Sequence, residues 1–228
     1  DGTVAGTHAL DINTPTSVGN IGVVGNRVVF SAKDSREGTD MFSWSSVTGV
    51  TSSLEVNPYT GSDPSYLVSD GSTAIFAAND SEHGSETWIS DGTSAGTRLY
   101  ADANLLPSSS YTDSFFFIDG TMYFRANDFA HGREIWKTDG TTNGTQLVKD
   151  ISVGATGSEP SFVGQVGNKA YFTARTASTG YELWVTDGTT LGTRMIKEIN
   201  TNTQTSSGNV ELNYFYASSE RLFFRAYD

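Results

Sequence analysis

The stretch Glu134-Ile135-Trp136-Lys137-Thr138-Asp139-Gly140-Thr141 decides the reading of this chain, because it occurs three times. It returns as Glu182-Leu183-Trp184-Val185-Thr186-Asp187-Gly188-Thr189 and as Glu86-Thr87-Trp88-Ile89-Ser90-Asp91-Gly92-Thr93, with successive tryptophans 48 residues apart. A weaker copy has Asp40-Met41-Phe42 for Glu-x-Trp and Ser45-Ser46-Val47 for Asp-Gly-Thr. The chain opens on the tail of another copy, Asp1-Gly2-Thr3 with Gly6-Thr7. Upstream of the copies runs an aromatic-x-Ala landmark: Phe30-Ser31-Ala32, Phe76-Ala77-Ala78, Phe124-Arg125-Ala126, Phe172-Thr173-Ala174 and Phe224-Arg225-Ala226. A fixed period of this length marks stacked supersecondary units.

One unit read closely predicts four antiparallel strands. Ser161 to Val166 ends at Gly167-Asn168, Lys169 to Arg175 follows, then Tyr181 to Thr186 with Trp184, then Thr193 to Ile199. Each stretch is short and rich in β-branched and aromatic residues, and the connections are hairpin-length with Gly in the turns. Alternation sends Leu183 and Val185 to one face and Trp184 to the other. A sheet apolar on both faces must be covered on both, which describes an all-β protein of propeller type. The expected fold is a single β-propeller domain over residues 1–228, of about five four-stranded blades: 1–12 with 208–228, 16–56, 62–103, 110–152 and 158–200. The N-terminal strand, Thr7 to Ile12, is expected to complete the last blade. That blade lacks a third strand, which calls for a tail beyond Asp228, a donated strand, or another blade number. A linear β-solenoid or an open array of small β modules is the competing architecture.

At these motifs the chain resembles the bacterial ELWxxDGT repeat family. The resemblance is strong over Glu86–Thr97, Glu134–Thr145 and Glu182–Thr193, degenerate over Asp40–Thr51, and includes Leu147-Val148-Lys149-Asp150-Ile151 downstream. It implies a large secreted or surface-attached protein, an extracellular or cell-surface location, and a non-catalytic structural or adhesive role. It implies no particular ligand.

Composition excludes several classes. With 14 Lys and Arg against 26 Asp and Glu the formal charge is −12, the wrong sign for a nucleic-acid or anionic-membrane partner. No apolar run reaches the roughly 20 residues of a membrane helix. The absence of Cys removes disulfides and thiolate sites. The chain begins at Asp1 without a signal peptide, as a processed product, an excised domain or part of a longer chain would.

Asp91-Gly92, Asp139-Gly140 and Asp187-Gly188 read as turn chemistry: the carboxylate accepts backbone N–H groups and Gly takes a positive φ. Trp88, Trp136 and Trp184 read as packing residues between sheets. The loops Asp34 to Asp40, Asp80 to Glu86 and Asp128 to Glu134 share Asp-x-x-x-Gly-x-acidic. A hairpin turn is the better reading there. A Ca2+ loop is the alternative, but each copy offers only two carboxylates and the fourth has Thr176 in place of Asp. No other cofactor is implied. The histidines His8, His83 and His131 assemble no triad with Ser and Asp, and Glu211 is a lone non-repeated carboxylate, so no enzyme is expected. Asn79-Asp80-Ser81 and Asn143-Gly144-Thr145 are glycosylation sequons. The expected partners are other copies or neighbouring domains of a longer chain. A lectin-like propeller with loop aromatics Tyr59, Tyr111 and Phe129 against glycans is the alternative.

Overall fold

The structure, a computed structural model, describes residues 3–4, 16–33, 38–199 and 213–226. Every regular element among them is a β-strand. Four sheets have four antiparallel strands in sequence order: β1 (Thr16–Val24), β2 (Arg27–Lys33), β3 (Thr39–Ser45) and β4 (Thr51–Ser53); β5 (Ser65–Ser69), β6 (Ala74–Asn79), β7 (Ser85–Ser90) and β8 (Arg98–Ala101); β9 (Asp113–Ile118), β10 (Thr121–Asn127), β11 (Arg133–Thr138) and β12 (Gln146–Lys149); β13 (Ser161–Val166), β14 (Lys169–Thr176), β15 (Gly180–Thr186) and β16 (Arg194–Lys197). A fifth sheet has two strands, β17 (Asn213–Ala217) and β18 (Leu222–Arg225). Residues 7–12, expected to close the last sheet, and Glu211 lie outside the described residues, as do His8 and Asp34.

The expected strands of the best unit fall on β13 to β16 with shifts of one or two residues at their ends. The register explains the repeat. Phe172 faces Trp184, Phe124 faces Trp136, and Phe30 faces Phe42 across each second-to-third strand pair. The landmark phenylalanines Phe30, Phe76, Phe124 and Phe172 are buried at 0–1% exposure, as are Ala32, Ala78, Ala126 and Ala174.

The chain divides into two compact units, residues 1–82 with 87–99, and residues 83–86 with 100–228. In the first, Val29, Met41 and Leu54 pack with Ala74, Phe76, Ala78 and Trp88. In the second, Tyr123, Ile135 and Val148 pack with Ala170, Phe172, Ala174 and Trp184. Leu183, Trp184 and Val185 are all buried although they alternate between faces, so β15 is covered on both sides. The core is therefore laid between sheets, not inside one.

Candidate functional site

The loop between the second and third strands of each sheet holds the Gly-x-acidic part of the repeat. Gly132 has φ +68°, and a Cβ there would stand 2.3 Å from the backbone N of Gly157. Gly84 would meet Ser109 N at 2.4 Å in the same way, and Gly38 would meet Gly61 Cα at 2.5 Å. Only glycine lets the two backbones approach this closely. Two residues on, the acidic side chain turns inward and caps the neighbouring loop. Glu134 Oε1 accepts the N–H groups of Ser152 (3.1 Å) and Ser158 (2.9 Å), and Oε2 accepts the Ser158 hydroxyl (2.5 Å). Glu86 Oε1 accepts Ser110 N–H at 2.5 Å. Asp40 Oδ1 accepts the N–H and hydroxyl of Ser62 at 3.0 and 2.9 Å. Glu182 Oε2 accepts Ile199 N–H at 3.0 Å.

Asp40, Glu86, Glu134 and Glu182 are all buried. Burial outweighs these hydrogen bonds and pushes Glu86 up to about 8 and Glu134 up to about 7. The first acid of the loop does a different job. Asp80 Oδ1 accepts Glu82 N–H at 2.9 Å. Asp128 Oδ1 accepts the N–H groups of Ala130 and His131 at 3.1 and 2.8 Å, and Oδ2 bonds His131 Nδ1 at 2.6 Å, raising that imidazole. In the fourth copy Thr176 Oγ1 accepts Ser178 N–H and Thr179 N–H, both at 3.2 Å. A hydroxyl does the carboxylate's turn work, which is why Thr replaces Asp there. In the loops Asp80–Glu86 and Asp128–Glu134 the two acids thus serve separate partners, and among the described residues no group of three or more His, Cys, Asp or Glu side chains that could hold a metal ion is found.

The Asp-Gly-Thr turns are identical hydrogen-bonded cages. Asp139 Oδ1 accepts Thr141 N–H (2.9 Å) and hydroxyl (2.6 Å), Thr141 Oγ1 accepts Gly144 N–H (3.0 Å), and Gly140 N–H donates to Thr138 Oγ1 (2.9 Å). Asp91 and Asp187 repeat the pattern with Thr93 and Thr189. These bonds hold all three exposed carboxyls below the usual carboxylate range, the threonine hydroxyl contributing most. The turn also docks on the preceding sheet: a Cβ on Gly188 would lie 1.9 Å from the Tyr123 hydroxyl, and Thr190 Oγ1 donates to Val148 O at 2.8 Å. Gly140 abuts Tyr100, and Gly92 abuts Arg27. In the degenerate copy Ser45 Oγ accepts Val47 N–H at 3.3 Å, a weaker form of the same turn.

One constellation escapes the repeat altogether. On the sheet β9–β12, Arg125 makes a two-pronged contact to Asp113, Nε to Oδ1 at 2.6 Å and Nη2 to Oδ2 at 2.7 Å. Arg133 Nη2 donates to the same Oδ2 and to Tyr111 O, both at 2.8 Å. Arg125 Nη1 reaches Pro160 O at 3.0 Å, and Glu159 Oε2 lies 3.9 Å from each guanidinium. Asp113 is buried, while both arginines remain about a quarter exposed. The corresponding residues in the flanking sheets are Ser65, Ala77 and Ser85, and Ser161, Thr173 and Tyr181, and in the last unit Arg225 faces Asn213 in place of an Asp, so the fold does not require the cluster. A reading that weights recurrence passes over it; its signal is the departure from the repeat at three positions at once. Tyr111 and Phe129 in the adjoining loops are exposed, and Tyr59 is exposed in its own loop. Asn143 is exposed, whereas Asn79 is half-buried with its Oδ1 accepting Ser81 N–H at 2.7 Å.

No family model matches the chain, and no curated protein matches it. Solved structures do. A puromycin hydrolase (S511A mutant complexed with PGG) superposes with a TM-score of 0.57 at 13% identity, covering 95% of this chain and 34% of that one. One of two prolyl endopeptidases gives 0.55 at 11% identity, covering 90% and 30%. A TolB protein from Agrobacterium tumefaciens gives 0.50 at 15% identity, covering 82% and 67%. The chain spans about a third of the length of the first two. At these identities what is shared is the fold: the chain has the β-propeller fold.

Proposed function

We propose that this chain is a non-enzymatic extracellular repeat module, structural or adhesive in role, belonging to a larger surface protein or to a filament assembled by strand sharing. The observation that carries this reading is where the repeated chemistry goes. The recurring carboxylates and hydroxyls cap backbone N–H groups within the fold, so they are committed to building a rigid scaffold. The resemblance to ELWxxDGT repeats and the acidic surface support the same role. Sedimentation of the purified chain over a range of concentrations tests it: reversible growth to oligomers is expected, and a strict monomer at all concentrations would remove the strand-sharing form.

Carbohydrate binding is the second reading, favoured by the Asp113–Arg125–Arg133 cluster beside exposed Tyr111 and Phe129. Planar aromatics with charged hydrogen-bonding groups suit sugar faces and hydroxyls. This version has one site, not one per repeat. A glycan array with the chain and its Tyr111→Ala and Phe129→Ala variants tests it. Binding lost in both variants supports it, and silence across the array sinks it.

A further inference from the structure

The sheet β9–β12 places aromatic rings where its neighbours have none. The residue after each capped serine takes a positive φ: Asp63 at +45°, Tyr111 at +51° and Glu159 at +49°. The second residue past β6 and past β10 does the same, Ser81 at +71° and Phe129 at +63°. Asp and Ser tolerate that backbone, whereas a bulky ring there is an outlier. Tyr111 is 56% exposed and Phe129 48%, so neither offsets the strain by filling the core. The two loops are tied together. Asn127 N–H donates to Ser110 O at 2.8 Å, and Phe129 N–H donates to Asn127 Oδ1 at 2.8 Å.

The same end of the same sheet carries Asp113, Arg125 and Arg133, so departures from the repeat at five positions gather there. Asp113 holds both guanidiniums, and Arg133 Nη2 is committed to Tyr111 O as well. Arg133 Nη1, by contrast, meets Glu159 Oε2 only at 3.9 Å, beyond hydrogen-bond reach. A donor and an acceptor thus stand across a short gap, on side chains 26% and 30% exposed. One hydroxyl oxygen with bonds of about 2.8 Å to each spans that gap, accepting from the guanidinium and donating to the carboxylate. A carboxylate has no proton to give Glu159 and would meet it charge to charge, on a chain of net charge −12.

We infer that this end of the sheet β9–β12 is a subsite for one neutral pyranose residue, with a sugar hydroxyl bridging Arg133 Nη1 and Glu159 Oε2 and the apolar face of the ring against Tyr111 and Phe129. The inference rests on the carbohydrate reading and names the class of sugar. A hydroxyl is both donor and acceptor, which is what the Arg133–Glu159 pair asks for. Aromatic side chains supply the apolar area that a sugar's C–H face covers. The bonds to Asp113 and Tyr111 O fix Arg133 before any ligand arrives, so little side-chain freedom remains to be lost on binding.

The test titrates the whole chain, by ligand-observed NMR, with the methyl glycosides of glucose, galactose and mannose and with glucuronate as the acidic counterpart. Saturable binding of at least one neutral glycoside is expected, with glucuronate weaker. Glu159→Ala should weaken the neutral sugar about fivefold or more. Glu159→Gln keeps an acceptor and should restore most of that loss while bringing glucuronate closer to the neutral sugar, a change of ratio that a merely structural Glu159 would not produce. Phe129→Ala should weaken the neutral sugar to a similar degree. Glucuronate bound as tightly as the neutral glycosides, or no binding of any of the three, overturns the subsite. Glycan binding that Glu159→Ala and Phe129→Ala leave unchanged overturns the subsite alone, whereas silence across a glycan array overturns the carbohydrate reading with it.

Discussion

Glu134 accepts the backbone N–H of Ser158, 24 residues further along the chain, at 2.9 Å, and both residues are fully buried. The bond ties the third strand of one sheet to the loop that begins the next. Removing the carboxylate strands two amide donors and a hydroxyl in a dry site. Glu134→Ala is expected to cost about 1–3 kcal/mol in chemical denaturation, and Glu134→Gln, which keeps an acceptor of the same shape, clearly less. Equal losses from the two variants would contradict the capping role.

The same burial makes stability depend on pH. Glu86 at about 8 and Glu134 at about 7 hold their protons more tightly folded than unfolded. Their contribution is complete below the ordinary carboxylate range and is lost as pH rises through 7 to 8. The lowered Asp91, Asp139 and Asp187 act with the opposite sign, their contribution being present above that range and lost as pH falls below it. The denaturation midpoint should therefore peak at mildly acidic pH and fall toward pH 9. The double variant Glu86→Gln, Glu134→Gln should flatten the alkaline limb, and an unchanged limb would refute the assignment.

Glycines at positive φ separate into two classes. Gly120, at φ +79°, has nothing within 4 Å of the place where an alanine methyl would project, so Gly120→Ala should cost only the strain of a left-handed backbone, about 1 kcal/mol. Gly132→Ala adds a clash with the backbone of Gly157 and should cost about 3 kcal/mol or more. Thermal unfolding of the pair measures the difference, and similar losses would show that the close approach carries no weight.

Asp113 is the shared acceptor of two guanidiniums. Asp113→Ala leaves Arg125 and Arg133 facing each other without it and should destabilise by about 3 kcal/mol. Arg125→Ala should cost less, because Arg133 still neutralises the carboxylate. A double-mutant cycle on Asp113 and Arg125 checks the coupling, and additive losses would contradict it.

The strands and their period were legible because packing between sheets demands the same aromatic and small residues in every unit. Phe30, Phe76, Phe124 and Phe172 had to recur for the gaps to fill. The capping role of Glu86 and Glu134 was not legible: their partners, Ser110 and Ser158, lie 24 residues away and contribute mainly backbone N–H groups, which any residue could supply. The loop spacing alone suggested a turn or cation loop, whereas the second acid of each loop points into the protein. Asp113, Arg125 and Arg133 were hidden for the reverse reason. As a set they recur in no other unit, although Arg225 repeats Arg125, and sequence separation conceals that antiparallel pairing sets Asp113 beside Arg125.

The carboxylate caps also bear on how such chains change over generations. Asp40, Glu86 and Glu134 each hold one half of a fastener, the acid after the loop glycine, and the other half is an amide at the start of the following unit. Any copy can engage any other, since an amide is common to all sequences. Duplication or loss of a whole 48-residue segment between such junctions therefore leaves the capping bonds of its neighbours chemically complete, and lineages can lengthen or shorten the array there without inventing a new interface.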